Sequence, residues 1–526
     1  MKGKLLPVAG AALVGAMSFP LGLGASAVPT SADARESAGP EQRVADPAGS
    51  CHRLVGRQLG GALVETTEFV PAGSALAPIM TKNSPEFCRV SAHISPVAGS
   101  KIKIQLWLPS RWNGKFFGYG GGGFEGSYMI ANIVLRRPVR EGFAAVVTDA
   151  GHDLAPDQKW AIGQPEKVTD FGHRANHLGA VVAKAVVTDY YGTPATHGYF
   201  HGCSNGGRDA LMLAQRYPED YDAIAVGAPA NSFTARMAAF SQMGADFNGA
   251  AGQTLVPKLK LLNEAAIASC DADDGVKDGL IGRPNRCRFD PAELLCKSGA
   301  TEACLSKPEV ALARSLYRGT FGRDGKLIMS GFAAGSELGW APPPAAENMG
   351  TAFYRYLMYE NPAWSPDSFV LDRDFAAGRK KLGPVLDATD PDLRPFLRRG
   401  GKLLMYHGWD DTAIPPGNSL HYYDQVVKTV GKKYAGNVRL FMLPGVSHCG
   451  QGKGPDEVDY AAALDRWTQS GVAPDRLIAA KHDNRIAFFS EMPTKVLQTR
   501  PACAWPKAAR YKGAGSTDDA ASFECR

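Results

Sequence analysis

The chain has 526 residues, 44% hydrophobic and 21% charged, which suffices for one large domain with an insertion or for several domains. Its formal net charge is only +6, and it has neither a run of Lys and Arg residues nor a basic stripe interleaved with aromatic residues. This composition argues against nucleic acid as a partner.

The first 27 residues have the features of a cleavable signal peptide. Two lysines precede an apolar stretch at residues 5–23, and residues 25–27 (ASA) form a small-residue cleavage site. The alternative, a transmembrane helix, is disfavoured because a proline and several glycines interrupt the stretch, and no other segment is long and apolar enough to span a bilayer. We expect secretion, to the periplasm or the medium, with cleavage after about Ala27. Residues 28–50 are expected to form a disordered leader.

Ten cysteines in an exported chain indicate disulfide bonds, and none lies in a C-x-x-C pair of the kind that binds zinc. Spacing alone does not determine connectivity, so pairing between neighbours in the chain is the working hypothesis for most of them. Cys203 and Cys449 are left over, either as a bridge or as two unrelated buried thiols. The expected neighbour pairs are Cys51–Cys88, Cys270–Cys287, Cys296–Cys304 and Cys503–Cys525.

The first half of the chain alternates predicted strands and helices. Residues 101–108 alternate polar and apolar side chains, as a half-buried strand does, and residues 115–119 form a second strand. Residues 144–149 and 223–226 are apolar runs typical of buried parallel strands. Strands that alternate with helices predict a parallel sheet with right-handed crossovers.

The alternation stops in the middle of the chain and later resumes. A long irregular segment contains helical stretches and many Pro and Gly residues, and buried strands return at residues 401–406 and 438–443. This pattern favours one α/β domain interrupted by an insertion over two domains in series. The predicted α/β domain occupies residues 51–228 and 391–526, and the insertion occupies residues 229–390.

A nucleophile-elbow pattern follows the apolar pair at residues 199–200. Gly202-x-Ser204-x-Gly206 matches G-x-S-x-G, in which a sharp turn between strand and helix exposes the serine hydroxyl. The turn is so tight that only small residues fit two positions on either side, and the helix N-terminus favours a developing oxyanion. The pattern also occurs by chance, but the strand before it favours Ser204 as a nucleophile.

A glycine-rich loop at residues 120–126 follows the second predicted strand. A dinucleotide site is disfavoured, because no clear helix or later ribose-binding acid accompanies the glycines. In a hydrolase with an elbow, such a loop donates a backbone N–H to the oxyanion hole, where close approach of the backbone favours glycine. The candidate donors are the backbone N–H groups of Asn205, Gly121, Gly122 and Gly123.

The loops after the last two predicted strands supply a carboxylate and a histidine. The first loop contains the adjacent Asp410 and Asp411, of which Asp411 is preferred. Among eleven histidines, His448 alone lies in a loop after the last predicted strand. The order Ser, Asp, His is that of the α/β-hydrolases.

The two remaining cysteines flank this pair, because Cys203 precedes Ser204 and Cys449 follows His448. If the serine and the histidine lie within hydrogen-bonding reach, their neighbours are also close. A disulfide requires Cα atoms about 4.4–6.8 Å apart. Such a bridge would hold the histidine loop against the elbow.

An aspartate-rich loop lies in the insertion, at residues 270–281. Asp271, Asp274 and Asp278, with glycines at the turns, suit a hard cation bound by oxygen, although a polar turn with solvated aspartates explains the composition equally well. The spacing is not that of an EF-hand. Calcium fits better than magnesium, because it tolerates backbone carbonyls and irregular geometry.

These motifs resemble those of the tannase and feruloyl esterase family of secreted serine esterases. The resemblance implies Ser204 as nucleophile, His448 as base and Asp411 as its orienting acid, together with a Cys203–Cys449 bridge. The similar segments are residues 202–208 (GCSNGGR), 407–411 (HGWDD), 448–449 (HC), 270–281 (CDADDGVKDGLI), 510–513 (RYKG) and 516–519 (STDD).

The same resemblance implies an α/β-hydrolase fold in which the insertion is a lid domain that carries a structural Ca²⁺. The lid chooses the substrate, but it contains no motif that identifies the substrate. The implied ligands are the side chains of Asp271, Asp274 and Asp278 and the backbone carbonyls of Val276 and Leu280.

The predicted function is that of a secreted serine carboxylesterase that forms an acyl-enzyme with aromatic esters of the feruloyl, hydroxycinnamoyl or galloyl type. Five bridges also resemble family members that hydrolyse mono(2-hydroxyethyl) terephthalate, and an acyltransferase with the same triad is a further alternative. A carbohydrate-binding protein and a metal-centred hydrolase are disfavoured by the intact triad and by the lack of a His-rich ligand set. The expected partner is a small aromatic ester, such as a plant cell-wall or polyphenol fragment. The aromatic residues 353–359 are either helix core, which is preferred, or a wall for the acyl ring.

Overall fold

The computed structural model describes most of the chain from residue 41 onward. The predicted signal peptide and the leader up to residue 40 lie outside the described residues. The predicted disordered leader at residues 28–50 is wrong for residues 41–50, which contain a short strand and the start of a helix. The helix is capped by the Asp46 side chain and continues into a disulfide-bonded cysteine. The described residues are 41–74, 84–126, 128, 131–154, 157–297, 299, 302–341, 348–485 and 493–526.

Ten of the described strands form one large sheet, and the others form two-stranded pairs. The strands are β1 (Gln42–Arg43), β2 (Gln58–Leu59), β3 (Ala62–Val70), β4 (Phe87–Ile94), β5 (Ile102–Pro109), β6 (Arg111–Trp112), β7 (Lys115–Tyr119), β8 (Ala144–Thr148), β9 (His197–Cys203), β10 (Ala223–Gly227), β11 (Gly319–Phe321), β12 (Leu327–Ser330), β13 (Lys402–Gly408), β14 (Val438–Leu443), β15 (Arg476–His482), β16 (Val496–Cys503), β17 (Ala509–Tyr511) and β18 (Phe523–Cys525).

The large sheet has the order β14-β13-β10-β9-β7-β8-β5-β4-β3-β2. The strands from β14 to β8 in that order are mutually parallel, and β5, β4, β3 and β2 continue the sheet with antiparallel pairing. All five residues of β10 are buried, which explains why this strand is a continuous apolar run in the sequence. The sheet is that of the α/β-hydrolase fold predicted from the sequence.

Helices cover both faces of this sheet. Alternate residues of β10 enter different cores: Ile224 packs in the cluster that contains residues of α5, α6 and α14, and Ala225 in the cluster that contains residues of α16. The helices are α1 (Pro47–His52), α2 (Ala131–Val134), α3 (Arg136–Arg140), α4 (Pro165–Thr169), α5 (Ala175–Tyr191), α6 (Asn205–Arg216), α7 (Phe233–Asn248), α8 (Ala250–Leu255), α9 (Leu259–Cys270), α10 (Lys307–Arg318), α11 (Met349–Ala352), α12 (Leu371–Leu386), α13 (Arg394–Arg398), α14 (Gly417–Val430), α15 (Lys432–Ala435) and α16 (Tyr460–Ser470).

The segment between β10 and β13 contains α7 to α13 and the antiparallel pair β11–β12. Its aromatic stretch includes a π-helical turn, Phe353–Met358. Phe353 and Tyr354 are fully buried, and the Phe353 ring packs edge-on against Phe233 at 6.0 Å. This burial favours the helix-core interpretation of the aromatic residues over a wall that faces a substrate.

All five expected disulfides are present, which confirms the pairing of neighbours in the chain and the bridge between Cys203 and Cys449. The Cys51–Cys88 bridge fastens α1 to β4, and the Cys503–Cys525 bridge joins β16 to β18. In the part of the chain that the structure describes, no helix combines the length and the apolar character that a membrane span needs.

Candidate active site

Ser204 occupies a sharp turn between β9 and α6. Its backbone has φ 65° and ψ −122°, a region that a residue with a side chain rarely adopts and that costs free energy to maintain. Two backbone hydrogen bonds hold it: Ser204 N donates to Gly227 O at 3.0 Å, and Ala230 N donates to Ser204 O at 3.0 Å. The turn therefore depends on the neighbouring end of β10.

Glycine is required on both sides of the turn. A Cβ atom at Gly202 would lie 2.1 Å from Gly206 O, and one at Gly206 would lie 2.6 Å from Gly121 O. The same close approach lets Gly206 N donate to Gly121 O at 2.9 Å. The elbow and the glycine-rich loop are thus in direct backbone contact, which only residues without side chains allow.

A chain of hydrogen bonds joins the serine, the histidine and one aspartate. His448 Nε2 lies 2.8 Å from Ser204 Oγ, and His448 Nδ1 lies 2.7 Å from Asp411 Oδ2. Because an ionised carboxylate only accepts, Nδ1 carries the proton and Nε2 is free to accept from the serine hydroxyl. This is the arrangement of a nucleophile, its general base and an orienting acid.

Asp411 is fully buried but surrounded by donors. Its Oδ1 accepts from Ala413 N and Ile414 N, both at 2.8 Å, and its Oδ2 accepts from His407 Nε2 at 3.1 Å. Burial opposes the charge, but interaction with His448 and the hydrogen bonds from both histidines outweigh it and hold the pKa of Asp411 below its usual range. The acid is therefore a carboxylate at neutral pH.

The adjacent Asp410 has a different environment. Its backbone N–H donates to Val446 O at 2.9 Å, and burial together with the charge of Glu337 raises its pKa to about 7. Of the two candidate acids, Asp411 is the one within hydrogen-bonding distance of His448.

The Cys203–Cys449 disulfide links the elbow to the histidine loop, with Cα atoms 5.9 Å apart. Cys203 is the last residue of β9, and Cys449 follows His448 in a turn where its φ is 55°. The bridge therefore fixes the separation of two loops that are 246 residues apart in the chain.

The candidate oxyanion donors lie beside the elbow. Asn205 is the first residue of α6, so its backbone N–H lies outside the helical hydrogen-bond ladder. In the glycine-rich loop, Gly121 O accepts from Gly206 N, whereas no atom of another described residue beyond the chain neighbours lies within 4 Å of a Cβ built at Gly122 or Gly123.

Two supports of the acid loop were not predicted. His407 is the next-to-last residue of β13, four residues before Asp411, and its Nδ1 is hydrogen-bonded to Ser419 Oγ at 2.7 Å. The buried Arg236 of α7 donates to Thr412 O at 3.0 Å and to Ala413 O. The position of His407 at a strand end offers a sequence signal, but no local pattern connects Arg236 to a loop so distant in the chain.

The aspartate-rich loop lies at the end of α9, away from the triad in the chain. Asp271 accepts from Gly279 N at 3.0 Å, Asp274 accepts from Val276 N at 3.2 Å, and Asp278 Oδ2 pairs with Arg500 Nη2 at 2.6 Å. Among the described residues, no group of three or more His, Cys, Asp or Glu side chains is arranged to hold a metal ion. The donor set is nevertheless all oxygen and anionic, which fits the chemistry of a hard divalent cation.

Two known proteins of similar length are similar in sequence to most of this chain. An uncharacterized esterase of Xanthomonas campestris pv. campestris is 32% identical, with 91% of this chain and 92% of that protein aligned. Mono(2-hydroxyethyl) terephthalate hydrolase of Piscinibacter sakaiensis is 31% identical, with 84% of this chain and 85% of that protein aligned.

Solved structures and a family model agree with these relatives. The crystal structure of feruloyl esterase B from Aspergillus oryzae superposes with a TM-score of 0.81 at 28% identity, covering 91% of this chain and 99% of that one. The model of the family described as tannase and feruloyl esterase matches residues 88–526. The chain therefore belongs to the tannase and feruloyl esterase family of carboxylic ester hydrolases.

Proposed function

We propose that the protein is a secreted serine carboxylesterase that hydrolyses aromatic carboxylic esters of the feruloyl, hydroxycinnamoyl or galloyl type. The observation that carries this proposal is the hydrogen-bond chain from Ser204 Oγ through His448 to Asp411 at the carboxyl ends of three parallel strands. Five disulfides support an oxidising compartment, in accord with export.

In the first half of the reaction, Ser204 Oγ attacks the ester carbonyl while His448 Nε2 takes the hydroxyl proton. The imidazolium that forms is stabilised by the Asp411 carboxylate, whose low pKa keeps it ionised. The carbonyl oxygen becomes an oxyanion, held by the backbone N–H of Asn205 and by one from residues 121–123. Each such donor lowers the barrier by roughly 2.7–4 kcal/mol.

In the second half, His448 gives the proton to the leaving alcohol, and the acyl group stays on Ser204 as an ester. Water then attacks the acyl carbonyl with His448 again acting as base, which releases the aromatic acid and restores the serine hydroxyl. A hydrolase transfers the acyl group to water, whereas an acyltransferase transfers it to an alcohol. Product analysis in the presence of a competing alcohol shows which of the two accepts the acyl group.

Hydrolysis of a terephthalate mono-ester is the second candidate function, because the terephthalate hydrolase of Piscinibacter sakaiensis is 31% identical over most of both chains. Methyl ferulate, methyl gallate and mono(2-hydroxyethyl) terephthalate form a panel that separates the candidates. The substrate with the highest kcat/KM identifies the acyl group that the site accepts.

The central test is Ser204→Ala, with Ser470→Ala at the exposed end of α16 as a matched control. We expect hydrolysis of every panel ester to be abolished in the first variant and unchanged in the second, with the same melting temperature for both. Turnover by folded Ser204→Ala would reject Ser204 as the nucleophile.

We further propose that residues 229–390 act as a lid over the site and that a structural Ca²⁺ binds in the lid. The side chains of Asp271, Asp274 and Asp278 and the carbonyls of Val276 and Leu280 would hold it. Asp271 and Asp274 are largely buried, so a cation there would offset the cost of placing carboxylates out of water. When bound, the ion would hold the loop together through its oxygen ligands and would have a structural role only.

A further inference from the structure

A cluster of polar side chains joins the start of α6, next to Ser204, to the glycine-rich loop. Asn205 Nδ2 donates to Glu125 Oε1, and Arg208 Nε donates to Asn205 Oδ1 at 2.6 Å. Asp209 Oδ1 accepts from Arg208 Nη2 at 2.9 Å. Asn205, Arg208 and Asp209 are almost completely buried, whereas Glu125, in the glycine-rich loop, is partly exposed.

Two carboxyls meet in this cluster. The carboxyl of Glu125 lies beside that of Asp209, which also interacts with the side chain of Asn176, and no donor among the described residues is hydrogen-bonded to Asp209 Oδ2. Two carboxylates cannot donate to each other, so the contact forms only when one of them carries a proton. Arg208 pairs with Asp209 and stabilises the ionised form there, which leaves the proton on Glu125.

Burial and the charge of Asp209 raise the pKa of Glu125 well above its usual value, and Arg208 and Asn205 only partly oppose them. A further titratable group beside the loop is His152, which packs against Gly126. Burial lowers the pKa of His152 to about 4, so it adds no charge at neutral pH.

We propose that Glu125 is a positioning residue that, as a neutral carboxylic acid, ties the glycine-rich loop to the nucleophile elbow by donating to Asp209 and accepting from Asn205. Asn205 supplies one oxyanion N–H through its backbone, and residues 121–123 supply the other. Glu125 belongs to the same loop as those glycines, and a Cβ at Gly121 would lie 2.6 Å from its carboxyl carbon. The acid therefore fixes the distance between the two oxyanion donors.

The inference rests on the proposed ester hydrolysis and adds a pH dependence to it. Loss of the Glu125 proton places two carboxylates in contact, breaks their hydrogen bond and separates the loop from the elbow. We therefore expect kcat to fall on the alkaline side while KM changes little, because the oxyanion donors act on the transition state.

The test compares Glu125→Gln with Glu125→Ala. Glutamine mimics the neutral acid, because its carbonyl accepts from Asn205 and its amide donates to Asp209. Glu125→Gln should keep kcat within about threefold of the parent and lose the alkaline decline, whereas Glu125→Ala should lose roughly 10- to 100-fold in kcat. Asn205→Ala, which keeps its backbone N–H but not the bridge, should show a similar loss.

A second readout needs no substrate. Because Glu125 retains its proton in the folded state, its stabilising effect is present below the usual Glu pKa and is lost as pH rises through the folded pKa. The ratio of the folding constants of parent and Glu125→Gln should fall by up to about tenfold per pH unit above about pH 4.3. Urea unfolding between pH 4 and 9 measures it.

Three results would overturn the inference: a Gln variant as impaired as the Ala variant, an alkaline decline that survives in Glu125→Gln, or a folding ratio that does not change with pH. Failure of the proposed function is distinguishable, because active Ser204→Ala would reject the esterase mechanism while leaving the folding ratio unaffected.

Discussion

The carboxyls near Ser204 fall into two groups whose environments differ. On the histidine side, Asp411 accepts two backbone N–H bonds and contacts two imidazoles. On the oxyanion side, Glu125 meets another carboxyl, Asp209. Burial raises the pKa of both carboxyls, but the donors around Asp411 reverse the effect and the neighbouring charge beside Glu125 enlarges it. Neighbouring donors and charges, rather than burial, decide which acid is ionised.

The largest expected loss of activity follows from replacing Asp411, the ionised carboxylate. Asp411→Asn should lower kcat by about 10⁴, because an amide does not hold His448 in the tautomer that accepts from serine. Asp410→Asn is the matched control and should stay within about threefold of the parent, since the carboxylate hydrogen-bonded to His448 Nδ1 is that of Asp411. Ester hydrolysis at pH 7.5 measures both, and the reverse order of losses would assign the acid to Asp410.

The next effect concerns the bridge that joins the histidine side to the elbow. Replacing Cys203 and Cys449 together by Ser should lower the free energy of unfolding by roughly 2–5 kcal/mol. It should also lower kcat by about 10- to 100-fold. Without the bridge the His448 imidazole can shift, and a displacement of about 1 Å is enough for a loss of this size. The Cys296–Cys304 pair, replaced in the same way, is the control and should leave kcat unchanged. Equal activity in both double variants would show that the first bridge does not position the base.

The pH dependence of the free energy of unfolding also distinguishes Asp411 from Glu125. Asp411 has a folded pKa below its usual value, so its stabilising effect is present above about pH 3.9 and is lost as pH falls through the folded pKa. The stability advantage of the parent over Asp411→Asn should therefore shrink in acid, by up to about 1.4 kcal/mol per pH unit. The stability difference between the parent and Glu125→Gln changes in the opposite direction, falling as pH rises above about pH 4.3. Urea unfolding in acid measures the stability difference between the parent and Asp411→Asn. A difference that does not change with pH would contradict an ionised carboxylate at Asp411.

The smallest expected effect lies in the lid. A calcium chelator should lower the melting temperature by about 2–4 °C, the shift that about 1 kcal/mol of lost binding produces in a domain of 150–250 residues. Asp274→Asn should remove the response to the chelator, whereas Asp273→Asn, at an exposed position outside the ligand set, should keep it. Calorimetry with and without added calcium measures the shift. An unchanged melting temperature in the parent would leave the loop as a polar turn.

The parts of the site that were predictable from the sequence are those with local patterns. The G-x-S-x-G turn and the histidine next to Cys449 lie at strand ends, and the parallel sheet brings such ends together. Arg236 and Asp209 have no such pattern. Each acts where its helix packs against a distant loop, and periodicity marks the packing face of a helix but not its partner.

The end of the predicted leader at residue 50 was wrong for a related reason. Residues 41–50 have the polar, Pro- and Ala-containing composition of a disordered segment. Pairing of β1 with β6 and the Cys51–Cys88 bridge order them, and both contacts come from residues far along the chain. Composition reports only local preference.

The most direct measurement is trapping of the acyl-enzyme, followed by peptide mass spectrometry. The parent is mixed with excess methyl ferulate and quenched in acid within a turnover. We expect one feruloyl group per chain, on the peptide that contains Ser204, and none in Ser204→Ala. A feruloyl group on another residue, or complete hydrolysis by Ser204→Ala with no covalent species, would contradict the Ser204–His448–Asp411 mechanism.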